Sequence, residues 1–521
     1  MNDNTAKGLY SQLESLRDTY LQRAREAALL TIPYLVPPSG HSSHTHYSTP
    51  YQSVGSRGVN NLASRLILSL FPTNAPFFRF AIDQGELNKA LEEMEDEEMA
   101  AQFKTELDIG LSKVERSISQ EIEVEGFRSG AFEALKQLLV AGNVLIYIPE
   151  DGGLRVFRLD RYVVKRDPMG NITHIVTKET VAAATLSPEL QQLIGDETGK
   201  DDTIDLYTAI VRDGKGYMSW QELGGTKIPD SEGKYDDTNM PWMALRYTRI
   251  DGEAYGRGFV EEYQGDLQSL EGLTKALVQG SAAAAKVLFL VNPNGTTRAK
   301  DLAEAPNGGF VDGIREDIST LQMEKFNDFR VVQTAIGQIE ERLSHAFLLN
   351  SSVIRNAERV TAEEIRMVAQ ELEAALGGLY SLLSQELQMP IVKRLISKMT
   401  KQKRLPKLPK EVVKPTITTG VEALGRGNDL NKLDMFVAGV GQVMGPEVVA
   451  TYLVPGEYLR RRGAAVGIDT NGLVKTDDQL QQEQQQQQQM QAMMQLGKPA
   501  IDSATKQMMQ AQEIDQQQQE G

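Results

Sequence analysis

Cysteine is absent from this 521-residue chain. Its absence excludes disulfides, zinc–thiolate centres and thiol nucleophiles, and fits assembly in a reducing cytoplasm. Long apolar runs are absent as well, and none reaches the ~18 residues that a membrane-spanning helix requires. No membrane partner is expected. The opening MNDNTAKGLYSQLESL has no basic stretch ahead of an apolar core, so it is not expected to be a secretory signal. A basic excess is also missing. Lysine and arginine total 55 against 71 acidic residues, a net charge of −16. Proteins that grip DNA by its phosphates are normally basic. An acidic chain either avoids nucleic acid or lets it pass without sticking, and plain solubility accounts for the charge equally well.

Signatures of catalysis are lacking. Gly195–Lys200 has the wrong spacing for a Walker A loop and is followed by Asp201. Gly256-Arg257-Gly258 and Gly425-Arg426-Gly427 lack the third glycine of a dinucleotide loop and read as turns. Neither H-E-x-x-H nor G-x-S-x-G occurs. Of five histidines, His41, His44 and His46 lie close together, but without His174 or His345 nearby they lack metal-ligand spacing and read as a polar loop. No cofactor and no metal are expected. Carboxylates are plentiful, so composition leaves a two-metal nuclease open, but nothing gathers them into a signature. The expectation is a protein that is not an enzyme.

What is present is strong periodicity. Residues 5–30 read as an amphipathic helix on Leu9, Leu13, Leu16, Leu21 and Leu29, followed by a polar loop at 33–56 and helices near 57–70, 100–121 and 129–140. From Gly142 the pattern turns to short strands: Asn143–Ile148, Leu154–Leu159, Tyr162–Arg166, Ile172–Thr177, 203–212, 216–223 and 242–248. Phe77, Phe78 and Phe80 suit base stacking or a core, with core packing favoured. Helix returns at 261–290, expected to be roughly 40 Å long. Its leucines Leu267, Leu270, Leu273, Leu277 and Leu288 form one face, with Lys275 and Lys286 on the other. A turn-punctuated stretch at 291–327 leads to a second helix, about 329–349, striped by Val332, Ile336, Ile339, Leu343 and Phe347. The polar loop Asn350–Val360 carries Arg355 and Arg359, which read as phosphate contacts or as solvated side chains, with the solvated reading slightly favoured. Arg359 is also placed to pair with Glu363. Thr361–Glu364 is a capping box that opens a third helix, and Pro390 should kink or end it. Lys401–Pro415 reads as a basic linker, and the chain closes on a glutamine- and methionine-rich tract.

The order helix, small subdomain, helix, loop, helix over 261–400 resembles phage portal proteins, specifically the head-to-tail connectors of T7-like podoviruses. The residues carrying the resemblance are Val54–Ser64 (VGSRGVNNLAS), Phe132–Val144 (FEALKQLLVAGNV), Asp251–Arg257 (DGEAYGR), Glu358–Arg366 (ERVTAEEIR) and Leu376–Gln388. It spans roughly residues 10–435 and is weakest after Leu433.

The resemblance implies an α+β portal fold with a helical stem, a mixed wing, a small clip, a helical crown and a low-complexity C-terminal tail. On that expectation 1–260 is wing, 261–290 the first stem helix, 291–327 clip and 328–349 the second stem helix. Residues 350–360 are then the tunnel loop, 361–404 a long wing and crown helix, 405–470 the wing return and crown, and 471–521 the tail. A ring of twelve copies at one capsid vertex is implied, passing double-stranded DNA. The clip would meet the packaging ATPase (the terminase large subunit) and later the tail adaptor. Wing and crown would meet scaffold, major capsid and internal core proteins. Lumen candidates are Lys275, Gln279 and Lys286 on the stem and Asn350, Arg355, Asn356 and Arg359 on the loop. A virion protein without a channel, such as a tail or scaffold component, is the alternative, and a carboxylate nuclease the third reading.

Overall fold

A computed structural model describes residues 5–42, 44–72, 77–82, 97–194, 203–284, 288–321, 326–349, 378–406, 413–417 and 423–445, with isolated positions besides. The chain divides into two units, Met1–Val421 and Glu422–Gly521.

In the first unit, Thr5 caps helix Ala6–Leu29 by accepting from the Gly8 N–H. The buried stripe is Ala6, Tyr10, Leu13, Arg17, Leu21, Ala24 and Ala28, and Leu16 and Leu29 of the expected stripe face solvent. The leucine pattern misled because Arg17 takes a core position, donating to the Tyr10 hydroxyl and the Asp160 carbonyl. The first part of this stripe, Ala6, Tyr10 and Leu13, packs on a six-stranded antiparallel sheet of β4 (Tyr162–Arg166), β5 (Ile172–Ala182), β6 (Thr203–Asp213), β7 (Gly216–Leu223), β8 (Thr226–Lys227) and β9 (Gly233–Asp236), while Leu21, Ala24 and Ala28 join the larger core. Strands β8 and β9 both pair with β7. Gly214, at φ +59°, makes the tight turn between β6 and β7.

The larger core joins helices Val54–Leu70, Glu97–Val124 and Phe127–Ala141 to a three-stranded sheet of β2 (Asn143–Tyr147), β3 (Arg155–Phe157) and β10 (Trp242–Arg246). Phe77, Phe78 and Phe80 are buried in it, which settles the aromatic cluster as core. Strand β1 (Phe78–Ile82) pairs antiparallel with β13 (Val413–Ile417). The expected basic linker is therefore corrected at its end, where Val413 and Ile417 are buried against β1.

Near Pro390 the expected stop is corrected too, because helix continues through it. Helix Leu379–Leu383 passes through a π-helical turn, Ser384–Gln388, into helix Met389–Lys401. Proline lacks the N–H and crowds the carbonyl four residues back, and a wider turn at that point relieves both conflicts. The expected helix 361–404 is otherwise described only at isolated positions before 378.

The second unit contains helix Ala423–Met444, where Asp434 accepts from the Tyr458 hydroxyl and pairs with Arg462. The glutamine-rich tract lies outside the described residues.

Candidate channel and docking site

Two antiparallel-running segments frame the site. The first is helix Gln264–Ala284 and the second is helix Phe326–Ala346. The first helix is shorter than the sequence suggested, roughly 30 Å, because Leu288–Val291 leaves it to form β11. That strand pairs with β12 (Ile318–Leu321). The run LFLV is rich in strand formers and finds a partner strand, which outweighs continued helix.

Burial is graded along the pair. Leu267 and Leu270 on the first helix, and Ile339, Leu343 and Phe347 at the end of the second, are buried in the main core. Phe347 stacks edge-on against Phe259, with centroids 5.3 Å apart. Gly58 is indispensable to that packing, since a Cβ there would lie 2.3 Å from the Phe347 ring. Burial, with Glu262 beside it, raises the Tyr263 phenol pKa, keeping a neutral ring 6.0 Å from Phe347. Toward the β11–β12 end the apolar residues emerge. Val278 is 50% exposed and Val331 71%.

Lys275 and Gln279 are exposed on the face away from Leu267 and Leu270. The Lys275 ammonium lies 5.9 Å from the Tyr51 ring centroid, and Glu271, one turn earlier, accepts from the Tyr51 and Gln52 amides at 3.0 and 3.1 Å. Arg342 ties the two helices through Asp266 at 2.8 Å. Lys286 lies outside the described residues.

Between the helices sits a compact excursion. Asp317 organises it, one carboxylate oxygen accepting from the Thr296 and Thr297 amides and the Thr297 hydroxyl. Thr297 Oγ1 in turn accepts from the Ile314 amide. Around this rigid hub Phe289, Leu290, Phe310 and Ile314 are exposed, with Phe310 fully so.

Of the loop candidates, Asn350, Arg355, Asn356 and Arg359 all lie outside the described residues. Their flanks are described. The second helix ends in a Schellman closure, with Leu349 N donating to the Ser344 carbonyl and Leu348 in the left-handed region at φ +54°. Asn61 Nδ2 donates to the Phe347 and Leu348 carbonyls at 2.9 and 3.0 Å. One turn on along the same helix, buried Arg65 donates to Glu371 at 2.7 Å. Two residues four apart thus grip the chain on both sides of the 350–370 stretch. Sequence reading missed this pair. Its signal was an asparagine and an arginine interrupting the Leu62, Leu66 and Leu70 stripe, where polar groups are kept only when bonded.

Residues 3–474 match the family of bacteriophage head to tail connecting proteins. The chain is 43% identical over 523 residues to the portal protein of Escherichia phage T7, covering 98% of this chain and 94% of that one. Against the portal protein of Enterobacteria phage T3 it is 43% identical, covering 92% and 90%. Against that of Enterobacteria phage SP6 identity is 30%, covering 91% and 90%. The chain belongs to the bacteriophage head to tail connecting proteins, the family of the T7-like phage portal proteins.

Proposed function

We propose that copies of this chain close into a ring at one capsid vertex and that double-stranded DNA is packaged and ejected through its centre. The observation that carries this reading is the helix pair 264–284 and 326–346. It is buried at one end and leaves Val278 and Val331 uncovered at the other, within a chain of the connecting family. Neighbouring helices in a ring cover such positions. Lys275, Gln279 and Lys286 then face the lumen, and Asn350, Arg355, Asn356 and Arg359 form the loop that meets DNA, with Asn61 and Arg65 holding its flanks. An acidic lumen repels phosphate and lets DNA slide, while these few polar groups give contacts that break easily.

The excursion between the helices, with Phe289, Leu290, Phe310 and Ile314 on a rigid hub, suits docking of the packaging ATPase (the terminase large subunit) and then the tail adaptor. Energy for packaging comes from that ATPase, and this chain supplies passage and platform. The remaining surfaces meet scaffold, major capsid and internal core proteins, in a virion protein assembled in the host cytoplasm.

Negative-stain images of the purified protein test the reading. Rings with a central hole are expected, and Phe310→Asp with Leu290→Asp should keep the ring but abolish tail attachment. A protein that stays monomeric at micromolar concentration across salt and magnesium sinks the ring. Solid particles without a hole favour a virion component that passes no DNA.

A further inference from the structure

Helix Met389–Lys401 carries a basic pocket that the channel does not use. A cavity of about 40 Å³ is lined by Glu150, Asn239, Arg394, Ser397, Lys398, Lys401 and Gln402. That volume exceeds what one water needs. Three cations meet there. Lys398 is paired with Glu125, and Lys401 with Glu150 at 2.8 Å. The Lys401 hydrogen bond, with Arg394 and Lys398 beyond it, holds the Glu150 carboxyl below its usual range, so Glu150 is ionised and engaged.

Arg394 is the remainder. It is 3% exposed, and among the described residues its Nη1 donates only to Asn239 and its Nε has no hydrogen-bond partner. Among the described residues it has no carboxylate within salt-bridge distance. Burying an unpaired guanidinium is costly, and such groups are normally completed by an anion. Three cations against Glu125 and Glu150 leave one positive charge, matching one monoanion.

We propose that this pocket is an interface site, in which Arg394 receives the carboxylate of an Asp or Glu side chain from a neighbouring copy of the chain. A carboxylate at the tip of a side chain enters a small cup, whereas a duplex phosphodiester is flanked by sugars on both sides. The neighbour is the fitting source because each copy carries 71 acidic against 55 basic residues. This rests on the ring reading above.

The test is the subunit concentration at half-assembly, measured by light scattering on the full chain. Arg394→Gln keeps a bond to Asn239 and removes the charge. Ser397→Asp, one turn away on the same face, supplies the anion from within. Both variants should fold, with the unassembled subunit as stable as the parent or more so, and both should raise the half-assembly concentration about tenfold or more. Sodium acetate, against sodium chloride at equal ionic strength, should weaken parent assembly and leave Arg394→Gln unmoved. If the parent assembles and both variants match it, the proposal is wrong. It is equally wrong if Arg394→Gln destabilises the lone subunit without touching assembly, because the carboxylate then comes from the same chain. Altered DNA retention with normal assembly would assign the pocket to phosphate and overturn it too. A parent that never assembles fails the ring reading itself, a distinct result.

Discussion

Several arginines behave as core residues in this protein. Arg17, Arg65 and Arg394 are buried, each with its guanidinium bonded to backbone or to another side chain. Composition ranks arginine among exposed residues, so none of the three was visible until partners were in place. Arg404 shows the same chemistry at the surface. Its two terminal guanidinium nitrogens, Nη1 and Nη2, donate to the two carboxylate oxygens of buried Glu121, at 2.6 and 2.5 Å. That bond is the main reason the Glu121 carboxyl lies below its usual range. The folded pKa is therefore below the unfolded one. Between the two values only the unfolded chain holds the proton, so stability rises with pH there. The contribution is complete above the unfolded value, about 4.3, and is lost as pH falls through the folded value. Arg404 is half exposed, so solvent screens the pair, and Arg404→Gln should cost roughly 0.5–1 kcal/mol at pH 7, with the gap to the parent closing in acid. Urea melts at neutral and acid pH check this, and a pH-independent gap would remove the ion pair as the cause.

At the scale of elements, periodicity carried far. The two framing helices, their stripes and the strand-rich middle were legible because each face alternates with its burial. Three places were not. Residues 288–291 look helical by continuity with the alanine run before them, and only pairing with 318–321 makes them a strand. Residues 413–417 look like a linker because Pro415 discourages a strand, yet β1 offers a partner more than 300 residues away. Pro390 signals a break, and the π-helical turn absorbs it locally. Gly58 shows how a close approach hides in sequence. A glycine inside a helix costs about 1 kcal/mol against alanine, and it stands here because the Phe347 ring lies where a side chain would be. Gly58→Val should force Phe347 away and destabilise the subunit by about 1–3 kcal/mol. It should also disturb the Asn61 bonds to the Phe347 and Leu348 carbonyls, one helical turn away. Thermal unfolding measures the first effect. Protection of the Leu348 and Leu349 amides from hydrogen exchange measures the second. Unchanged protection with lowered stability would separate packing from the clamp.

At the scale of the whole molecule, the net charge of −16 is compatible with DNA passage only if attraction is confined to few positions. Lys275 is the candidate among the described residues. It is exposed, and its ammonium approaches the face of the Tyr51 ring no closer than 5.9 Å from the centroid, so removing it leaves the helix pair intact. Salt dependence isolates what it does. Each phosphate neutralised by a lysine releases counterions and adds about 0.9 to the slope of log affinity against log salt for duplex DNA. Rings carrying Lys275→Ala should therefore form at the parent's concentration and bind duplex fragments more weakly at low salt. Their slope should be shallower by about 0.9 for each phosphate that the lysine no longer neutralises. Because copies around a ring act together, a small effect per subunit becomes a measurable change in retention. Association followed between low and physiological salt reads both quantities. An unchanged slope places Lys275 away from the DNA path, and a failure to form rings places it between subunits. Only the combination of intact rings and a flatter slope puts the lysine face of the 264–284 helix on the lumen.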